Sequence, residues 1–233
     1  MQVVLIFLIF FLPIFPSCAA VKKEKSTVAV GTVLPQGSIR PTVVIDAGHG
    51  GIDRGAKAKA PFCEEKRVCL QTAKLMKKYL DQLGYHVVMT RDTDCFVSLS
   101  RRVEIAQASG ATIFVSIHFN SAKNTTAHGI EVFFHEDKEE KTRGTLSKKL
   151  AASILTPLIR RTSAQSRGVK KGNFYVIRET SMPAVIVEGG FISNFEERSQ
   201  LKLAEYQGKI ARGIVEGIDA YFKKMGSSVS MNR

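Results

Sequence analysis

From residue 42 onward, short apolar runs alternate with segments of helical period. TVVIDAGHGG (42–51) is an apolar run that ends in glycine. That pattern predicts a buried strand with polar chemistry at its carboxyl tip. Positions 68, 75, 76, 79, 80 and 83 place apolar groups on one helical face over 65–83, and Gly84 stops the pattern. HVVMTR (86–91) reads as a strand, and 98–108 as a short helix capped by Ser98 or Ser100. TIFVSIHF (112–119) and GIEVFFH (129–135) read as strands, 145–160 as a helix. FYVI (174–177) and AVIVEGG (184–190) read as strands, and 195–223 as a helical tail. Strands alternating with helices predict a single α/β domain with a largely parallel sheet. In such sheets the site lies beyond the carboxyl ends of the strands.

The start of the chain breaks this pattern. Residues 1–20 are apolar almost throughout, and the unbroken run 3–15 is short for a bilayer, which takes about 20 residues. The segment reads as a signal peptide, with Ser17, Ala19 and Ala20 supplying a cleavage site, although no Lys or Arg precedes it. An uncleaved N-terminal anchor and a lipidated Cys18 are the two alternatives. All three place the rest of the chain outside the cytoplasm, in a periplasm, soluble or membrane-anchored. Residues 21–40, with GTVLPQGS, read as a linker, 41–225 as the catalytic domain and 226–233 as a tail.

Composition narrows the classes further. The 233 residues are 44% hydrophobic and 24% charged, too apolar for a disordered chain and long enough to bury a core. Lys and Arg outnumber Asp and Glu by 34 to 21, a formal charge of +13 that favours acidic partners. Ten of those cations fall within 141–178, where no acid occurs; they form a solvated surface or a basic rim for an anionic substrate. No nucleic-acid module or stacking platform accompanies the charge. Of the four cysteines, Cys63, Cys69 and Cys95 would survive cleavage, and they are expected as buried structural thiols.

The strand tips carry the chemistry. The first delivers His49, the strand at 112–119 delivers His118 and reaches Asn120, and the strand at 184–190 delivers Glu188. Glu64 and Glu65 open the intervening helix. Two histidines and a carboxylate suit a catalytic zinc with a fourth position for water. No HExxH is present, so this is not a helix-borne zinc site. A second chemistry is also readable. Ser199 to Lys202 form an S-x-x-K, and Lys170-Lys171-Gly172 approximates the K-T-G box of penicillin-sensitive serine carboxypeptidases, in reversed order.

Five ordered blocks decide between these readings. IDAGHGGIDRGA (45–56), EEKRVCL (64–70), TRDTD with SLSRRVEIA (90–106), VSIHFNS (115–121) and MPAVIVEGGFISNFEER (182–198) resemble the zinc-dependent N-acetylmuramoyl-L-alanine amidases, bacterial cell-wall hydrolases. The resemblance implies a three-layer sandwich around a central mixed, largely parallel sheet. It implies one Zn2+ per chain on His49, Glu65 and His118, with Glu64 the rival of Glu65, and Glu188 as the catalytic carboxylate. The implied substrate is peptidoglycan, as sacculus, muropeptides or lipid-linked precursor, cut at the muramoyl–L-alanine amide during remodelling, division or recycling. Relatives switched by division-site activators carry a long insert after the SIH block. Only nine residues separate Asn120 from Ile130 here, which implies a site open without an activator. A non-catalytic cell-wall binder would lack a ligand or Glu188, and all four are present.

Overall fold

The computed structural model describes residues 40–136 and 140–230. The readings for 1–20, Cys18 included, and for all but the last residue of the linker lie outside the described residues, as does the end of the tail. No helix among the described residues is long and apolar enough to cross a membrane.

Six strands form the central sheet: β1 (Thr42–Ala47), β4 (His86–Met89), β5 (Ile113–Asn120), β6 (Ile130–Phe134), β7 (Ser166–Lys171) and β8 (Ala184–Phe191). A small antiparallel hairpin, β2 (Lys57–Lys59) with β3 (Phe62–Glu64), stands apart. The helices are α1 (Glu65–Gln82), α2 (Leu99–Ala108), α3 (Lys141–Thr162), α4 (Tyr175–Glu179), α5 (Phe195–Leu201) and α6 (Ala204–Ser230). The sheet order is β4-β1-β5-β8-β6-β7. Its first four strands run parallel, and β6 and β7 run the other way, joined through the antiparallel β6–β8 pair. The mixed, largely parallel sheet expected from the sequence is present.

The central strands alternate between two apolar layers. Val43, Ile45, Val115, Val185 and Val187 join the larger core, which includes residues of α1, α3 and α6. Val44, Phe114, Ala184 and Ile186 join the smaller core on the other face, beside α2 and α4. Covering both faces is what lets the strands be apolar on both sides. It also leaves the strand ends as the place where polar side chains can project.

Three local expectations fail, and one strand goes unexpected. FYVI is the start of α4, not a strand: Val176 and Ile177 are buried as consecutive residues while Phe174 and Tyr175 are exposed. A short apolar run fits either period. The tail helix breaks after Leu201, whose carbonyl accepts from the Gln207 side chain, and α6 restarts at Ala204. β7 carries no apolar alternation in its sequence, because SRGVKK is basic and half-exposed, as suits an edge strand. Ser98, not Ser100, caps α2, accepting from Arg101 N. Cys63 and Cys69 are buried free thiols, but Cys95 lies exposed in the loop before α2.

Candidate metal centre and active site

β1 ends at Ala47, and the chain turns sharply at Gly48 and His49. His49 has φ 57°, the left-handed region, which costs a non-glycine residue about 1–2 kcal/mol. Two buried arginines hold this turn. Arg102 donates to the carbonyls of Ala47 and His49, at 2.7 Å each, and to Asp46 Oδ1 at 2.6 Å. Arg91 donates to the carbonyls of Ala47, Gly48 and Lys66. Asp46 also accepts from Thr90 and Ser116. Burial pushes the Asp46 carboxyl up, but Arg102 and these hydroxyl donors outweigh burial and hold it below the usual carboxylate range.

The two histidines meet at Glu65, the first residue of α1. His49 Nε2 lies 2.9 Å and His118 Nδ1 3.0 Å from the same oxygen, Glu65 Oε1. The two rings stand edge to face with centroids 4.8 Å apart. Glu65 Oε2 accepts from Ala56 N at 2.8 Å. Burial raises the Glu65 carboxyl, and the two histidines overcome that and keep it ionised well below the usual range. Burial likewise lowers both histidines, and Glu65 more than restores them. Asp53 Oδ2 sits 2.8 Å from His49 Nδ1, so Nε2 is the nitrogen turned to the cluster.

The backbone is shaped to this cluster. A Cβ at Gly48 would lie 2.4 Å from His118 Cε1. One at Gly55, where φ is +63°, would lie 2.6 Å from Glu65 Oε2 and 2.7 Å from His49 Cδ2. No side chain fits at either position without displacing a donor.

Glu188 stands beside the cluster. It is the register partner of His118 across β5–β8, and of Glu131 across β8–β6. Its Oε2 is buried, with no hydrogen-bond partner among the described residues. Burial pushes Glu188 up to about 7; His118 opposes this, and Glu65 and Glu131 add to it. A buried carboxylate oxygen without a donor is costly unless a ligand or reacting group completes it.

Of the residues singled out from the sequence, the structure brings His49, Glu65, His118 and Glu188 together. One donor atom from each of the first three falls within 4.8 Å of the others. Glu64 is not part of the cluster; its Oε1 lies 2.8 Å from Arg54 Nε. Asn120 donates to Glu131 instead. Ser199 gives its hydroxyl to the Phe195 carbonyl within α5, which makes it a helix-surface serine rather than a nucleophile. The basic run 141–178 is largely balanced across segments. Arg160 and Arg161 pair with Glu216, Arg167 and Lys170 with Glu131, Lys171 with Glu136 and Arg178 with Glu179. Sequence reasoning gave no role to Asp53, Asp46, Arg91, Arg102 or Glu131. The spacing of four between His49 and Asp53 was the one local signal available.

Two imidazoles and a carboxylate, with a second carboxylate alongside, form the donor set of a metal-dependent hydrolase. The family pattern described as N-acetylmuramoyl-L-alanine amidase matches residues 43–220. The chain is 41% identical over 181 residues to the uncharacterized protein YqiI of Bacillus subtilis (strain 168), spanning 78% of this chain and 84% of that one. It is 36% identical over 182 residues to the N-acetylmuramoyl-L-alanine amidase LytC of the same organism, spanning 78% of this chain and 36% of LytC. Among solved structures it resembles the N-acetylmuramoyl-L-alanine amidase of Clostridium difficile 630, with TM-score 0.75 and 36% identity, covering 80% of this chain and 98% of that one. It also resembles the CwlD amidase of Clostridioides difficile, solved in complex with the GerS lipoprotein. That match has TM-score 0.74 and 32% identity, covering 79% and 99% of the two chains. The chain belongs to the N-acetylmuramoyl-L-alanine amidase family, enzymes that hydrolyse peptidoglycan.

Proposed function

We propose that this chain is a zinc enzyme in which His49 Nε2, Glu65 Oε1 and His118 Nδ1 hold one Zn2+ and Glu188 moves the protons. The reaction is hydrolysis of the amide between the lactyl group of N-acetylmuramic acid and L-alanine. Bound zinc supplies a Lewis acid for the amide carbonyl and lowers the pKa of water to about 7. The observation that supports this reading best is Glu188, in register with His118, whose buried Oε2 has no partner among the described residues.

Glu188 takes a proton from the attacking water on Oε2 and returns it to the amine of L-alanine as the C–N bond breaks. Burial pushes its carboxyl up, and the charge of a bound cation would bring it back toward the ionised form that takes the proton. Asp53 orients His49, and the arginine-clamped turn holds His49 in place before substrate arrives. Residues 41–225 carry this activity. The substrate is sacculus, muropeptide or lipid-linked precursor, met outside the cytoplasm by a chain exported through residues 1–20 or anchored there or at Cys18. The loop at 121–129 contains turns and no helix, which supports a site that works without an activator, even though CwlD was solved with GerS.

Digestion of purified peptidoglycan with the full, zinc-loaded chain, followed by mass spectrometry, tests the proposal. Free stem peptides beginning with L-alanine and glycans without peptides are expected, lost with Glu188→Gln and with a chelator. Products cut at any other bond, or intact substrate with zinc bound, would refute it.

A further inference from the structure

One polar cluster beside Glu188 is not used by the mechanism above. Directly paired residues on adjacent strands point to the same face of a sheet. The pairs His118–Glu188, Glu188–Glu131 and Glu131–Gly168 therefore draw one line across β5, β8, β6 and β7. Lys170, two residues past Gly168, shares that face. Arg167 would point to the opposite face by strict alternation. It does not, because the β6–β7 register slips: Ile130 pairs with Ser166, and Glu131 with Gly168, leaving Arg167 as the extra residue of a bulge. Gly168, at φ +86°, permits the bend. Bulges beside active sites commonly re-aim a side chain. Here the Arg167 Nε donates to Glu131 Oε2 at 2.9 Å, and its Nη1 to the His128 carbonyl at 3.2 Å. Its guanidinium lies 4.9 Å over the Phe191 ring.

Lys170 Nζ donates to the same Glu131 oxygen, and Asn120 Nδ2 to the other at 2.8 Å. One carboxylate thus faces two cations. The Glu131 side chain is only 4% exposed, while those of Arg167 and Lys170 are 32% and 39% exposed. The acid is sealed beneath, and a net positive charge faces the surface. Strand spacing puts β7 about 9–10 Å from β8. An extended peptide advances about 3.3–3.6 Å per residue, so the second residue past the scissile amide extends about 7 Å, far enough to meet the Arg167 and Lys170 side chains, which reach back from β7 to Glu131 on β6.

We propose that Arg167 and Lys170 form a carboxylate-recognition subsite, held in place by Glu131 and Asn120, that selects stem peptides with a free α-carboxylate on the residue after L-alanine. This rests on the amidase reading and specifies its substrate. Arg167 supplies a planar fork of donors and Lys170 a point charge, the usual pairing partners of a carboxylate.

The test compares two N-acetylmuramoyl peptides that differ only at that group, one a free carboxylate and the other its amide, with the full zinc-loaded chain. The wild type is expected to prefer the free carboxylate by about tenfold or more in kcat/KM, chiefly through KM, the scale of a charge-assisted hydrogen bond. Arg167→Gln and Lys170→Gln each shrink the preference, and together they bring it within about twofold. Lys170→Arg, which keeps the charge, retains most of it, and Arg160→Gln, which removes a cation of α3, retains all of it. Lys170→Gln carries the test where Arg167→Gln fails to fold. Equal use of both substrates by the wild type, or a preference that survives the double variant, would overturn the subsite. Hydrolysis of neither substrate would instead overturn the amidase reading, and the subsite with it.

Discussion

The two walls of the site are built on opposite principles. On the β1 side nearly every polar atom is satisfied. Asp46 takes three donors, Arg91 and Arg102 saturate the carbonyls of the His49 turn, and Asp53 fixes the His49 ring. On the β8 side the Glu188 Oε2 is buried and has no partner among the described residues. The first wall over-determines geometry and keeps a left-handed histidine turned toward Glu65. The second keeps a carboxylate under-satisfied, so that it gains from accepting a proton or a ligand. On the proposed mechanism, positioning and reactivity fall to different strands, and the unsatisfied atom belongs to the strand that carries the proton transfer.

Substitutions on the first wall should act through metal binding and stability. Glu65→Gln keeps a side-chain oxygen but removes the charge both histidines face. Its zinc affinity, measured against a competing chelator, should fall by more than the roughly 10–100-fold that loss of an outer partner costs. Arg102→Met strands a buried Asp46 beside the strained turn. Denaturant unfolding should show a loss of about 3–5 kcal/mol, and a loss under about 1 kcal/mol would remove the clamp from the account. Asp53→Asn should lower zinc affinity by about 10–100-fold while leaving the unfolding midpoint of the metal-free protein nearly unchanged. The smallest effect concerns acid. Asp46 is depressed in the folded state, so its contribution is present above its unfolded value of about 4 and is lost as pH falls through the lower folded value. The melting temperature should drop on that acid side, and Asp46→Asn, less stable at neutral pH, should show a shallower drop.

The four residues at the centre were legible because each adjoins a strong pattern: Glu65 opens α1, His49 lies just past β1, and His118 and Glu188 sit toward the carboxyl halves of β5 and β8. His49, His118 and Glu188 follow apolar runs buried on both faces, and Glu65 opens an amphipathic helix. The supporting shell was harder to read. Arg91 and Arg102 are charged residues whose burial depends on carbonyls some 25 to 55 positions away, and no local period announces that. β7 was hidden for a related reason. Its cations look like solvent-facing charge until Glu131, on the neighbouring strand, is seen to bind two of them. The α4 segment is ambiguous in sequence because four apolar residues fit either period, and only the buried pair Val176–Ile177 decides it. The blocks around Glu188 also proved mostly scaffold. Asn194 caps α5, Glu197 accepts from the backbone of Gly129 and Phe191, and Arg198 holds the carbonyls of Ile192 and Ala60.

The division between the two walls is tested most directly by measuring zinc stoichiometry and muropeptide turnover together in the wild type, Glu188→Gln and His118→Ala. Glu188→Gln should bind one zinc with affinity close to the wild type and lose turnover by about 10²–10⁴-fold, whereas His118→Ala should lose both. Loss of zinc from Glu188→Gln, or turnover that persists in it, would contradict the account.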